Sequence, residues 1–189
     1  MSPSGRKALQ APGRAWLLAA IWLSGCRDQS AAPIRIVAGP QATDQVTLVP
    51  RASLAEYIEV SPNESALLLT LSSVERSCES SPDPQGDALG LTIRVVLPGP
   101  GKLTPGRYPS IAEAQREGRA YALPTVKLRG RRTELRPGGE LELRELDLTP
   151  RGSVSGLLKF EFPGDAEHPA TRVSGRFSAR FCRVSRLRD

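Results

Sequence analysis

The sequence predicts an all-β domain, mainly antiparallel, arranged as a β-sandwich or an open barrel. The first observation is that apolar and polar residues alternate along many short stretches, which is the periodicity of a half-buried strand. The second is that these stretches end at Pro, Gly, Asn or Ser, the usual turn residues. The third is that 17 prolines and 17 glycines are spread over 189 residues, which leaves little room for long helices.

Five strands are predicted in the first half of the chain. They cover residues 34–37, 46–49, 56–60, 66–72 and 91–97. Between the third and the fourth, Ser61-Pro62-Asn63-Glu64 has the composition of a hairpin turn. Residues 77–90 are polar and predict an exposed loop. Pro98-Gly99-Pro100-Gly101 lacks two backbone donors and predicts a break between two parts of one sheet system.

One short helix is predicted near residues 111–117. Ser110 and Glu113 have the spacing of a capping box, and Gly118 stands where a C′ glycine is expected. A helix this short is marginal alone, so we expect it to pack on the sheet.

The leucines of residues 140–149 change parity within one predicted strand. Leu141 and Leu143 alternate with acids, and the alternation resumes at Leu146 and Leu148. A plain strand would turn one of these pairs into solvent, so the switch at Arg144-Glu145 predicts a β-bulge. Upstream, Gly138-Gly139 is interpreted as a hairpin turn that follows a strand at 133–136.

The last two predicted strands, 154–162 and 171–181, complete an antiparallel meander. In the final strand Val173, Phe177 and Phe181 lie on one face, and arginines alternate with serines on the other. We therefore expect one buried and one solvent-exposed face.

The N-terminus has the features of a secretory signal. Arg6, Lys7 and Arg14 precede an apolar run at 15–23, which is too short to span a membrane. The run ends in Leu23-Ser24-Gly25-Cys26, which resembles the bacterial lipobox. That resemblance implies a signal peptide at 1–25, a diacylated Cys26 as the new N-terminus, and a linker to residue 33. The alternative is an ordinary signal peptide with a chance cysteine or one that forms a disulfide.

The resemblance also implies a location in the cell envelope. In such proteins an Asp directly after the cysteine favours inner-membrane retention, and here that residue is Arg27. We therefore expect lipid anchoring to the outer membrane, facing either the periplasm or the cell surface.

Removing the signal weakens any nucleic-acid interpretation of the basic composition. Residues 1–25 hold three of the 26 basic residues and none of the 20 acidic ones, so the net charge falls from +6 to +3. We predict no nucleic-acid partner. Much of the remaining excess lies near the C-terminus, which either contacts anionic lipid or is simply a solvated face. Its basic residues are Arg172, Arg176, Arg180, Arg183, Arg186 and Arg188.

With Cys26 lipidated, Cys78 and Cys182 remain as an even pair in an oxidising compartment. This predicts a disulfide, with free or reactive thiols as the alternative. A metal site is disfavoured because two cysteines without CxxC spacing and the distant His168 do not supply four ligands. Cys182 follows Phe181, so either the strand ends there or the bond lies across the sheet edge.

Catalytic signals are weak, and we predict no catalytic residues, no metal and no cofactor. The single histidine, His168, lies in a polar loop, and no G-x-S-x-G motif is present. The acid pairs at Glu140/Glu142 and Glu145/Asp147 alternate with leucines, as expected of a solvent-exposed strand face. Glu79, Asp83 and Asp87 share a loop but lack the dense spacing of a calcium site.

The C-terminal pattern of residues 173–182, ending at Cys182, resembles that of small, uncharacterised β-rich lipoproteins of myxobacterial type. An earlier cysteine, Cys78, and Thr104-Pro105-Gly106-Arg107-Tyr108 extend the resemblance. It implies a lipid-anchored β-rich domain at 34–189 and carries no activity with it.

Two functions follow as expectations. The first is a non-catalytic interaction or structural module of the envelope, with the membrane, envelope proteins or anionic lipid as partners. The alternative is a carrier that holds an apolar or lipid ligand in a barrel interior. An enzymatic function has the least support.

Overall fold

A computed structural model describes residues 32–38, 44–79, 89–114, 117–128, 131–133, 138–164 and 170–186. Within these ranges eleven strands form one sheet, accompanied by one helical turn. The strands are β1 (Ile34–Ala38), β2 (Asp44–Leu48), β3 (Ala52–Ser61), β4 (Glu64–Ser72), β5 (Gly90–Pro98), β6 (Gly106–Pro109), β7 (Tyr121–Leu128), β8 (Arg131–Thr133), β9 (Gly138–Leu146), β10 (Ser153–Phe162) and β11 (Thr171–Arg186), and the turn is α1 (Ile111–Ala114).

Eight strands follow one another around a ring in the order β6-β9-β10-β11-β3-β4-β5-β7. A bridge between Ser110, which follows β6, and Ala122 of β7 joins the two ends of the series. The result is a nearly closed, barrel-like sheet, which confirms the all-β prediction. Strand pairs are antiparallel except for the parallel pairing of β3 with β11.

The barrel interior is filled by the apolar faces of its strands. Leu67, Leu69 and Leu71 of β4 stand opposite the inward side chains of β5 in register, and all are fully buried. Each such leucine contributes about 1.5–3 kcal/mol through removal from water. The largest other buried side chains are Ile34, Ile36, Leu48, Leu91, Ile93, Leu141, Leu143, Phe160 and Phe162.

The predicted bulge in β9 is confirmed. Ser155 of β10 pairs with Glu145, while the next residue, Gly156, pairs with Leu143, which leaves Arg144 as the extra residue. Leu141 and Leu143 are therefore buried, and Leu146 beyond the bulge still packs against the core.

One other local prediction is confirmed. The turn at Pro62-Asn63 joins β3 to β4, and the Asn63 N–H donates to the Ser61 hydroxyl over 3.2 Å. The predicted helix is reduced to a single turn, which begins directly after Ser110 and ends at Ala114. Gly118 has a φ of 61°, but it lies four residues beyond that end and is not its C′ residue. The Ser110 hydroxyl has no hydrogen-bond partner, so the predicted N-cap bond is not formed.

The prediction of a hairpin turn at Gly138-Gly139 was wrong. Both glycines lie inside β9 and pair with Phe160 and Glu161 of β10, while β8 forms a hairpin with β7. Gly139 has a φ of 97°, and a Cβ there would overlap the carbonyl oxygen of Lys159. Gly139 therefore allows the backbones of β9 and β10 to approach closely. In the sequence, a glycine with this role cannot be distinguished from a turn glycine.

The final strand extends beyond its predicted end at Phe181. β11 continues to Arg186, and a register shift between Phe181 and Arg183 leaves Cys182 as an extra residue. Its first part pairs with β10 and with β1, and its last part pairs with β3. The lipobox residues and Cys26 lie outside the described residues.

Candidate ligand-binding site at one end of the barrel

An open cavity of about 790 Å³ lies at one end of the barrel. We call this end the mouth. It is bounded by the β3–β4 turn, the segment 99–105 between β5 and β6, the residues around the end of β9, and the last residues of β11. The lining residues are Tyr57, Glu59, Val60, Ser61, Pro62, Glu64, Ser65, Gly99, Gly101, Lys102, Leu103, Thr104, Pro105, Leu146, Leu148, Val184 and Arg186.

The bulge at Cys182 determines which β11 side chains reach the mouth. After the register shift, Val184 stands opposite Tyr57 and Arg186 opposite Glu59 on β3. Tyr57 is 7% exposed, whereas Val184 is 49% exposed. An apolar side chain that is open to solvent therefore lies beside a buried aromatic ring, which is the gradient expected at the entrance of an apolar site.

Segment 99–105 is held in place from both ends. The Tyr108 hydroxyl donates a short hydrogen bond to the carbonyl oxygen of Thr104 and accepts one from the Thr104 N–H over 3.2 Å. The side chain of Leu103 is buried, and the Gly99 N–H donates to the carbonyl oxygen of Asn63 over 2.6 Å. The Thr104–Tyr108 motif seen in the sequence is therefore a turn closed by its own tyrosine.

The charges around the mouth balance one another. Glu59 and Arg186 form an ion pair with an oxygen–nitrogen distance of 2.5 Å. Glu64 and Lys102 add one charge of each sign at the exposed rim. Because the Glu59–Arg186 pair is solvent-exposed, it contributes little to stability. The four charges together leave the rim of the cavity without a net charge.

Ser65 is the only serine or threonine of the lining that is buried. It pairs across the sheet with Glu59 on β3 and with Leu97 on β5, so it lies on the same strand face as Leu67 and Leu69. The residue is 7% exposed, and its hydroxyl oxygen has no hydrogen-bond partner. An unpaired buried hydroxyl is costly, so this position calls for an explanation.

The two predicted cysteines form a disulfide. Cys78 and Cys182 are bonded with a Cα–Cα distance of 5.3 Å across 104 positions. Cys182 is the extra residue of the β11 bulge, so its side chain bonds to the 73–79 segment outside the core while the strand continues. Neither cysteine lines the mouth.

Part of the basic C-terminal strand is neutralised by neighbouring acids. Arg172 pairs with Glu161 over 3.5 Å, and Arg183 pairs with Glu56 over 2.9 Å. Together with the Glu59–Arg186 pair, these contacts neutralise three of the six basic residues of this region. Arg176 and Arg180 are exposed, and Arg188 lies outside the described residues.

The acidic residues considered for catalysis do not converge. Glu140 lies 3.6 Å from Arg107, and Glu142 lies 3.0 Å from Arg144, each within an exposed ion pair on the outer face of β9. Glu79 is exposed, and His168, Asp83 and Asp87 fall outside the described ranges. In the part of the chain that the structure describes, no three His, Cys, Asp or Glu side chains come together as metal ligands.

One of these acids has a perturbed pKa. The Thr149 hydroxyl donates to the Asp147 carboxylate over 2.7 Å, and the Thr149 N–H donates to the same oxygen over 3.0 Å. These bonds stabilise the charged form and lower the pKa of Asp147. The pair closes the turn between β9 and β10, beside the mouth residues Leu146 and Leu148.

Sequence reasoning did not identify the mouth as a site. Its residues come from four separate segments, and each has a local structural explanation, such as a hairpin turn or a Pro-Gly break. Ser65 precedes an apolar run and looks like an ordinary strand start. The Thr104–Tyr108 motif was the available signal, because it marked a segment that the structure places at the mouth.

No family model matches the chain, and no curated protein or solved structure is similar enough to count as a match. Among the described residues no helix has the length and apolar character needed to cross a membrane. The function therefore has to be inferred from the geometry of the mouth and from the sequence of the N-terminal segment.

Proposed function

We propose that this chain is a lipid-anchored, non-catalytic binding module of a bacterial envelope, and that the mouth binds the apolar part of a small ligand. The anchor is proposed from Leu23-Ser24-Gly25-Cys26 and its resemblance to a lipobox. The Cys78–Cys182 disulfide supports an oxidising compartment outside the cytoplasm.

The single observation that carries the binding function is the mouth cavity. Its volume of about 790 Å³ falls in the range of roughly 300–1,000 Å³ that holds small organic ligands. Apolar side chains such as Val60, Leu103 and Val184 line it together with four charged residues and three serine or threonine residues. Of the two functions expected from the sequence, this cavity favours the ligand carrier.

The filled interior limits what the carrier can hold. Layers of buried leucine and phenylalanine occupy the barrel below Tyr57, so the proposed ligand lies at the mouth and does not pass through the barrel. We therefore propose a small amphipathic molecule.

The anchor is tested by the intact mass of protein extracted from membranes. We expect residues 26–189 plus acyl chains, with a gain of two hydrogens on reduction. An unacylated protein with titratable thiols would contradict the proposed anchor and location.

The binding function is tested with N-phenyl-1-naphthylamine, a neutral dye whose fluorescence rises in apolar sites. The full chain in amphipol should bind it saturably, and Val184→Glu should weaken binding about tenfold or more, because a carboxylate at the mouth must then lose hydration. The matched control is Val49→Glu, since Val49 is 59% exposed and does not line the cavity. Equal binding by both variants would contradict the mouth as the site.

A further inference from the structure

In the described part of the chain, three serines have a buried hydroxyl oxygen with no hydrogen-bond partner: Ser53, Ser65 and Ser110. Only Ser65 lines the mouth cavity. Ser53 is on the same inner face of the sheet, opposite Leu71, and Ser110 is at the bridge between β6 and β7. Ser65 therefore combines an unpaired buried hydroxyl with a cavity that could supply the missing partner.

The surroundings of Ser65 are apolar on one side and charge-paired on the other. Tyr57 lines the cavity beside it, Leu97 is its neighbour on β5, and the next inward residue along β4 is Leu67. The nearest acid on the neighbouring strand, Glu59, is already paired with Arg186. A serine side chain can turn among three staggered positions, so its hydroxyl can meet a group that binds at the bottom of the cavity.

This environment distinguishes charged from uncharged ligand groups. A charged group placed beside Ser65 would lose its hydration without a counter-charge at that position, because Glu59 and Arg186 neutralise each other and Glu64 and Lys102 lie at the exposed rim. An uncharged hydroxyl, ester or amide would satisfy the serine hydroxyl and would itself be satisfied.

We infer that the mouth selects amphiphiles with an apolar body and one uncharged hydrogen-bonding group, and that Ser65 is the specificity-determining residue. The inference rests on the proposed binding function and names the class of ligand for it. The Ser65 hydroxyl can both donate and accept a hydrogen bond. The site therefore distinguishes a ligand with an uncharged polar group beside Ser65 from one with an apolar group there.

The test compares two displacing molecules that differ in one group. The two molecules are 1-octanol and n-nonane, and nonane has a methyl group where octanol has its hydroxyl. Each is titrated against N-phenyl-1-naphthylamine bound to the full chain in amphipol. The measured quantity is the ratio of the two half-displacing concentrations, octanol over nonane. Comparing this ratio between variants cancels the unequal partition of the two molecules into amphipol.

We expect Ser65→Ala to raise the ratio about fivefold, which corresponds to the loss of one ordinary hydrogen bond. Ser53→Ala removes another unpaired buried hydroxyl away from the mouth and should leave the ratio unchanged. Ser65→Ala should melt at the same or a higher temperature than the wild type, since it removes an unsatisfied group, and this separates lost selectivity from lost folding.

An unchanged ratio in Ser65→Ala, or an equal change in Ser53→Ala, overturns the inference and leaves the binding function intact. Absence of saturable dye binding by the wild type overturns the binding function itself, and the inference with it.

Discussion

Gly156 of β10 lies against the backbone of Glu142 at the point where β9 has one residue more than its partner strand. A Cβ at Gly156 would overlap the carbonyl oxygen of Glu142 and would also lie 3.0 Å from a ring carbon of Phe177. The bulge at Arg144 and the glycine are thus two parts of one arrangement. It turns the chain so that Leu146 and Leu148 reach the mouth after Leu141 and Leu143 have filled the core.

Gly156→Ala should therefore destabilise the barrel by about 2–3 kcal/mol, because the new methyl group meets backbone that cannot move aside. Urea unfolding followed by circular dichroism measures this. Gly138→Ala is the control, since a Cβ at Gly138 has its nearest neighbour at 3.9 Å. Similar losses in the two variants would show that the close approach to Glu142 is not the cause.

The Cys78–Cys182 disulfide closes a span of 104 positions. In the chain-entropy description, a loop of this length lowers the free energy of folding by about 4–5 kcal/mol. We expect Cys78→Ser/Cys182→Ser to lose most of this in denaturant unfolding, and reductant to have the same effect on the wild type. Reductant should have no effect on the double variant. If reduction leaves the wild-type midpoint unchanged, the bond does not stabilise the native state.

The ion pairs made by the arginines of β11 should contribute different amounts to the unfolding free energy, depending on how buried the acid is. Glu56 is 20% exposed and accepts hydrogen bonds from the Arg183 guanidinium and the Ser185 hydroxyl, whereas Glu161 is 59% exposed and pairs with Arg172 alone. Glu56→Ala should cost about 1–2 kcal/mol of unfolding free energy. Glu161→Ala, the control because its partner Arg172 is also on β11, should cost less than about 0.5 kcal/mol. Equal costs would contradict the role of burial.

Tyr108→Phe should loosen the mouth without unfolding the barrel. The variant loses both hydrogen bonds to the backbone of Thr104, and because Thr104 is exposed, water can replace them. We expect a loss of about 1 kcal/mol in unfolding free energy. We also expect weaker binding of N-phenyl-1-naphthylamine, because segment 99–105 lines the cavity. Tyr121→Phe, on β7 outside the cavity lining, is the control. Unchanged dye binding in Tyr108→Phe would show that the mouth does not depend on this turn.

The Asp147–Thr149 turn should add stability above the ordinary aspartate pKa of 3.8 and lose it as the pH falls through the lower pKa of the folded state. The hydrogen bonds favour the ionised carboxylate, so near this pKa the folded protein binds fewer protons at Asp147 than the unfolded protein does. Acid therefore favours the unfolded state. Carbon-detected NMR titration of Asp147 measures its pKa directly. Thr149→Val removes the hydroxyl bond and should raise that pKa, whereas Thr149→Ser should keep it low. A pKa that is the same in all three proteins would contradict the assignment to Thr149.

The sequence was informative wherever the pattern of apolar and polar side chains indicates which residues are buried. The parity change at Arg144 predicted the bulge because each pair of leucines has to face the core. The alternation of Val173, Phe177 and Phe181 likewise predicted the buried face of β11. These features depend on burial, which the sequence records directly.

The sequence was misleading where backbone geometry determines the structure. β7 was not predicted as a strand, and it has Pro124 in its middle, a residue that is normally excluded from a fully paired strand. In the structure β7 lies at the seam of the barrel, bridged to Ser110 at Ala122 and paired with β8 only near its end. The mouth could not be predicted because it forms only when the ring of strands closes.

The parallel pairing of β3 with β11 has a consequence for how the protein folds. Glu56 and Arg183 are 127 positions apart, and β11 is also the neighbour of β10 and of β1. Until β11 has been made and has docked, three strands keep an open edge that can pair with other molecules. Contacts of such long range also form slowly. A chain shortened before β11 would consequently expose aggregation-prone edges on β1, β3 and β10, so β11 completes the barrel as well as forming one wall of its mouth.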